Sequence, residues 1–269
     1  MSGWRIVCVA WLAAGLAATA SAHDLWLVPR VVKDGIGVVE LNSGMDFPKS
    51  EAAPRVASFA ETFVVTPAGD QAEFKLGDAD GNSRLAQFDA KDDGVYIAAA
   101  RTTPKVLKLT ADDFNEYLVT DGLAHIYRQR AKDKTLDQPG VERYSKSPKA
   151  LIRVGKQDGD AGGDPCQVVG LPLEIVPLAD PFAVKPGGTL AIRVLFQDKP
   201  LTEATVGWQS PGDGEQPRGV VRTDAKGEAL VPINRSGLIT LRLTHMTQPK
   251  TAEYEWESFW TSLTWEVGK

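Results

Sequence analysis

Between residues 173 and 267 the chain is cut again and again by turn formers. Pro186-Gly187-Gly188, Asp198-Lys199-Pro200, Pro211-Gly212-Asp213-Gly214, Asp224-Ala225-Lys226-Gly227 and Asn234-Arg235-Ser236-Gly237 separate short runs rich in β-branched residues. Glycine and proline at this density leave no room for helices of ordinary length, whereas short alternating strands fit between them. The runs 173–176, 190–196, 204–209, 219–223, 229–233, 237–243 and 257–267 read as seven strands. Seven short strands in about a hundred residues is the count of an immunoglobulin-like sandwich.

The first half follows the same rule with one interruption. Strands are expected at 23–28, stopped by Pro29, and at 35–41, 61–66, 71–76, 94–99, 104–109 and 142–154. Their spacing favours a sandwich or barrel over a parallel sheet. Asp78-Ala79-Asp80-Gly81-Asn82 starts like a calcium loop, but Ser83 and Asp89 stand where that loop needs Gly and Glu, so a hairpin turn is expected. The interruption is helical and spans 111–131. Thr110 is a suitable N-cap, and Asp112 and Asp113 occupy the first turn, where the helix dipole favours anions. Phe114, Tyr117, Leu118, Leu123, Ile126 and Tyr127 form the apolar stripe, and Asp121-Gly122 breaks the helix in two. The fold expected is mostly β: two β-sandwich-like domains, the first with a short helical insertion, the second immunoglobulin-like. The polar, glycine-rich stretch 155–163 marks the boundary, giving domains at 23–163 and 164–269.

Residues 1–22 have the parts of a cleaved secretory signal: Arg5, an apolar run from Ile6 to Ala18, and Ala20-Ser21-Ala22 before the cut. The apolar run is shorter than the roughly 20 residues that span a bilayer, and no later stretch is apolar enough to cross one. A periplasmic protein without a membrane span is therefore expected. The formal net charge is −5, and losing Arg5 makes it more negative; with no basic cluster, nucleic acid is excluded as a partner. Of two cysteines, Cys8 leaves with the leader, so Cys166 has no partner for an internal disulfide.

Motifs of catalysis are scarce. The chain has no Gly-x-Ser-x-Gly elbow, phosphate-binding loop, dinucleotide fingerprint or His-Glu-x-x-His, and an enzyme is not expected. Only three histidines exist, His23, His125 and His245. His125 lies off the helical stripe and reads as a solvent-facing side chain. His23 is different, because cleavage after Ala22 puts an α-amine and an imidazole on one residue. An α-amine of reference pKa about 7.7–8.0 gives up its proton to a metal at little cost near neutral pH. The pair suits nickel, cobalt or copper, which accept nitrogen donors. His245 is the expected third nitrogen, with Asp24, Glu257 and Met246 as weaker ligands or hydrogen-bonding supports. On the last strand Phe259, Leu263, Trp265 and Val267 share the core face. Tyr254, Trp256 and Trp260 take the other and must cover the first domain, a ligand or a partner.

Four stretches together resemble a family of exported bacterial β-rich proteins carried as a domain of unknown function and associated with periplasmic components of nickel/cobalt-type uptake. They are His23-Asp24-Leu25-Trp26-Leu27-Val28-Pro29, Glu142–Lys146 with Lys149-Ala150-Leu151, 173–181, and His245-Met246 followed by 256–264. Separately, 222–229 resembles the hairpin of bacterial Ig-like and carboxypeptidase-regulatory-like modules. The family resemblance picks out His23 and His245, and implies a metal-binding accessory serving a membrane transporter or outer-membrane receptor. Two other readings stay open. One is a non-catalytic structural or adhesive Ig-like module that binds a protein or glycan partner through Trp256 and Trp260. The other is a copper oxygenase built on a histidine brace.

Overall fold

The computed structural model describes residues 23–155, 162–214, 218–249 and 251–268. Residues 1–22, expected to be a leader, and most of the stretch expected to divide the domains lie outside them. The first half contains β1 (Asp24–Lys33), β2 (Ile36–Gly44), β3 (Phe59–Val65), β4 (Gln71–Ala72), β5 (Lys75–Asp80), β6 (Ser83–Asp89), β7 (Gly94–Thr102) and β8 (Lys105–Leu109). Then come α1 (Ala111–Thr120), α2 (Ala124–Lys132) and β9 (Gly140–Val154). The second half contains β10 (Leu173–Pro177), β11 (Gly188–Phe196), the short β12 (Lys199–Pro200), β13 (Thr205–Gln209), β14 (Gly219–Arg222), β15 (Glu228–Ile233), β16 (Gly237–Thr247) and β17 (Trp256–Val267).

All seven strands expected in the second half are present, and they form the immunoglobulin-like sandwich: β10-β11-β15 faces β14-β13-β16-β17. The first half differs in places. Pro29 does not end β1, which continues to Lys33 through a bulge between Pro29 and Val31. Proline is tolerated there because β1 is an edge strand, where its missing N–H leaves no rung empty. The hairpin β1–β2 turns on Asp34-Gly35, both at positive φ, the pair a tight twisted hairpin needs. The expected strand at 71–76 divides into β4 and the start of β5, and Gly81-Asn82 is the β5–β6 hairpin turn. The helix breaks at Asp121-Gly122 as the sequence indicates, with the Thr110 hydroxyl accepting from Asp113 N at 3.2 Å.

A nine-stranded sheet dominates the molecule. Its order is β14-β13-β16-β17-β9-β7-β3-β4, with β8 also paired to β9. Strand β9 of the first half lies parallel to β17 of the second, from Glu142 beside Trp256 to Ala150 beside Thr264. Both halves therefore contribute to one continuous sheet. Its two faces are covered by different partners. On one side β10-β11-β15 closes a core around Leu151, Ile175, Ile192, Leu241 and Trp265. On the other, the sheet β1-β2-β6-β5 covers β3, β7 and part of β9, packing Leu41 and Phe88 against Tyr96 and Ile152. Further along that same face, α1 and α2 cover Met246, Trp256 and Trp260. Burial on both faces explains why Val95-Tyr96-Ile97-Ala98-Ala99-Ala100 is an unbroken apolar run without alternation.

The layers are also joined by a charge pair. Lys149 on β9 donates to Glu174 on β10 at 2.7 Å, and both side chains are 1% exposed. Glu174 also accepts from Val169 N at 3.0 Å and Leu171 N at 3.1 Å, so each carboxylate oxygen is used. Burying the pair costs solvation that its hydrogen bonds offset, and removing one partner leaves the other charged and dry. Glu174→Leu should cost about 3–5 kcal/mol in urea unfolding, and Lys149→Met combined with it should recover part of that loss.

Candidate functional site

On the face shared by the two covers, the start of β1 meets the α1–α2 turn above β9, β16 and β17. Period-two alternation decides which side chains enter this seam. Arg242 and Thr244 of β16, Ser258, Trp260 and Ser262 of β17, and Glu142, Tyr144 and Lys146 of β9 all point into it.

The first residues after the expected cleavage point are held there from three directions. Lys146 Nζ donates to the His23 carbonyl, Arg242 pairs with the Asp24 carboxylate, and Ser262 Oγ donates to the Leu25 carbonyl at 2.9 Å. The His23 ring lies on the outer side, about 40% exposed, with Nε2 2.8 Å from Glu51 Oε2. Glu51 comes from the loop after β2, and its other oxygen accepts from Met45 N at 2.9 Å. The loop is fastened back onto β2 by Glu51 N donating to the Ser43 carbonyl at 2.8 Å.

Behind this anchor is a buried polar cluster. The Thr244 hydroxyl donates to Asp121 at 3.1 Å, and Tyr117 OH donates to Glu142 Oε2 at 3.3 Å. Tyr117 also stacks on Trp260 at 5.5 Å, and Lys146 lies 4.8 Å over the Trp260 ring. Burial pushes Asp121 up to about 6 and Glu142 up to about 7, with Thr244 and Ser258 respectively opposing the shift. Burial likewise brings Lys146 down to about 8, against the pull of Asp121 and Glu142. Acids and a lysine driven toward neutrality beside a cleft mark a candidate site on physical grounds.

The metal set expected from the sequence does not assemble. His23 and Asp24 lie on the seam face, where Asp24 meets Arg242. His245 has the opposite parity on β16 and points through to the sandwich core, with its ring 4.5 Å from Phe196. Glu257 shares that far face and pairs with Arg143. The sheet itself separates the two pairs. His245, half-buried, is moreover driven down to about 4 by burial and by the nearness of His125, so its ring is neutral near pH 7. Among the described residues, no three His, Cys, Asp or Glu side chains cluster as metal ligands. Trp256 and Trp260 are also placed differently from an exposed binding surface. They are 4% and 5% exposed, covered by Phe114 and Tyr117 of α1. They cement the helical insertion of the first half to the sheet. His125 is exposed on α2, and Cys166, half-buried, has its thiol raised to about 11 by burial.

Glu51, Asp121 and Lys146 were not singled out as site residues in the sequence. For Lys146 a signal existed, because Glu142, Tyr144 and Lys146 alternate along one strand and must share a face. Nothing local to Glu51 indicates that its loop folds back to residue 23.

Fold and site together define a β-sandwich protein with one sheet shared by its two halves and an anchored, partly exposed His23. The chain belongs to the domain of unknown function family DUF4198, whose model matches residues 20–247. No curated protein matches it. Among solved structures it is similar to the D0-D1 domain of intimin, at 11% identity over 90% of this chain and 97% of that one, with a TM-score of 0.22. It is also similar to native alpha-2-macroglobulin from Escherichia coli spanning domains MG0-NIE-MG1, at 9% identity over 88% and 97% of the two chains, with a TM-score of 0.21. A third is CfaE, the adhesive subunit of the CFA/I fimbria of enterotoxigenic Escherichia coli, at 9% identity over 92% and 87%, with a TM-score of 0.17. The architecture rests on the strand pairings described above rather than on likenesses of this size.

The cluster gives stability a definite pH dependence. Asp121 and Glu142 have raised values, so the stability they contribute is complete below their ordinary values near 4 and is lost as pH rises through 6 to 7. Lys146, lowered, costs stability below about 8 and recovers it as pH rises toward 10.5. Glu142→Gln should therefore gain on the wild type by on the order of 2–3 kcal/mol between pH 4.5 and pH 8. Urea unfolding of both proteins across that range checks it, and parallel curves would contradict the assignment.

Proposed function

We propose that the protein is an exported, non-catalytic accessory that binds a transition metal at the amino terminus created by cleavage after Ala22. The observation that carries this reading is the 2.8 Å contact between His23 Nε2 and Glu51 Oε2. A carboxylate holding one ring nitrogen fixes the imidazole's orientation and raises the basicity of the other nitrogen. That leaves Nδ1, on the side of the ring nearest the backbone, to act with the α-amine as a bidentate chelate. The three-nitrogen arrangement with His245 does not fit these residues, since the sheet stands between the two rings. The two-nitrogen chelate fits, with Lys146 on the His23 carbonyl and Arg242 on Asp24 holding the terminus in place. Nickel, cobalt or copper would be held there as a bound ion with coordination positions left for a further donor.

An ion held by few protein ligands on an exposed residue suits transfer more than storage. The receiving partner is a membrane transporter or an outer-membrane receptor, in keeping with the family resemblance drawn from the sequence. A histidine-brace oxygenase is not carried forward, because its second imidazole is on the wrong face. An adhesive or structural role would need a surface other than Trp256 and Trp260, which α1 encloses.

Protein expressed with its own leader and recovered from the periplasm should show by mass spectrometry that it starts at His23. It should bind one equivalent of copper(II) or nickel(II) in a calorimetric titration against a competing chelator. His23→Ala, which removes the imidazole and keeps the carbonyl that Lys146 holds, should abolish this binding, and Glu51→Gln should weaken it about 10–100-fold. His245→Ala should leave it unchanged. Binding that survives His23→Ala would overturn the proposal.

A further inference from the structure

The seam holds a cavity of about 260 Å³ between the α1–α2 turn and strands β13, β14 and β16. Its shape depends on Gly122, at φ +75°, where a Cβ would come within 3.0 Å of the Thr205 side chain. Glycine lets the helix turn approach β13 without filling the space between them. The cavity is much larger than the roughly 30 Å³ share of one water molecule, so it has room for a small organic molecule.

Charge on the cavity wall is unbalanced. Asp24 and Arg242 both line it and neutralise each other as a pair. Asp121 also lines it, and its carboxylate receives the Thr244 hydroxyl. The cation whose field reaches Asp121 is Lys146, which lies over Trp260, donates to the neutral His23 carbonyl and is shared with a second carboxylate, Glu142. Two carboxylates thus share one ammonium, and Asp121, with its hydroxyl neighbours, is the one that lines the cavity. Apolar surface accompanies it: Val119 and Val220, about 60% exposed, also line the space.

A bare metal ion is a poor occupant. Calcium takes six to eight oxygen ligands, and magnesium demands a near-ideal octahedron, whereas this wall supplies one carboxylate besides that of Asp24 and scattered hydroxyls. An ammonium group needs only a few acceptors at hydrogen-bond distance and brings an alkyl body that valines can cover. We propose that the cavity binds a small alkylammonium compound, its charged nitrogen donating to Asp121 and the Thr244 hydroxyl, its alkyl chain between Val119 and Val220. The site is separate from the terminal chelate, although Asp24 adjoins both.

The probe is n-butylammonium chloride, titrated at pH 8 into the mature protein stripped of metal and followed by amide NMR shifts. The shifts of residues 119–122, 220 and 242–244 should saturate with a millimolar Kd. 1-Butanol and butyrate, which share the chain but lack the cation, should produce no saturating change. Asp121→Asn keeps a hydrogen-bonding group for Thr244 but removes the charge, and should weaken binding roughly tenfold or more. Val220→Trp, on an exposed position of the short strand β14, should obstruct the cavity while leaving Asp121 in place. Thermal unfolding and amide spectra of each variant establish that it is folded. Equal binding of butanol, undiminished binding by folded Asp121→Asn, or no saturation with butylammonium would overturn the proposal. The His23→Ala protein, which cannot form the terminal chelate, should bind butylammonium unchanged, so this inference and the metal reading fail independently.

Discussion

The parallel pairing of β9 with β17 makes one structure out of two halves. It runs from Glu142 beside Trp256 to Ala150 beside Thr264, and it inserts a strand of the first half beside the last strand of the second. Every later feature of the site follows from it. The joined sheet has two faces, and each must be covered to keep its apolar rows dry. One face receives the β10-β11-β15 layer, locked by the Lys149–Glu174 pair. The opposite face is too long for a single cover, so the β1-β2-β6-β5 sheet takes one part and the two helices another. Where those covers meet, backbone and polar side chains must satisfy one another, and the seam is the result.

Placing Asp121, Glu142 and Lys146 in that seam is costly. Two acids are pushed upward and a lysine downward by loss of water, and their mutual attraction only partly offsets it. Hydrophobic side chains of similar volume could fill the same space with less penalty. Retained polarity of this kind is common where a surface has a task other than holding the fold together. Here the cluster does two things that a greasy seam could not. Lys146 grips the backbone of His23, and Asp121 gives the neighbouring cavity a negative wall.

Anchoring would matter for an amino terminus at His23, because chain ends fray unless tied down. Three hydrogen-bonded or ionic contacts to residues 23–25, together with Glu51 on the imidazole, hold this stretch in place. Under the proposed cleavage, the ring would be oriented before any ion arrived, which would lower the ordering cost of the binding proposed.

Local chemistry in the chain determined the strands of the sandwich, the Thr110 cap, the break at Asp121-Gly122 and the Asp34-Gly35 hairpin. Each depends on neighbours within a few residues, through turn geometry or alternation. Alternation also gave the two faces of β17 correctly, with Phe259, Leu263 and Trp265 toward the sandwich core and Trp256 and Trp260 away from it. What covers a face is a different matter, because period two fixes the side and says nothing about the partner. Only the tertiary structure put α1 over the two tryptophans, brought Glu51 to His23, and ran β9 beside β17. It also placed His23 and His245 on opposite sides of one sheet. A shift of a single residue along β16 reverses the side, and the chain's local signals carry no information about which side a strand from the far end of the sequence will approach.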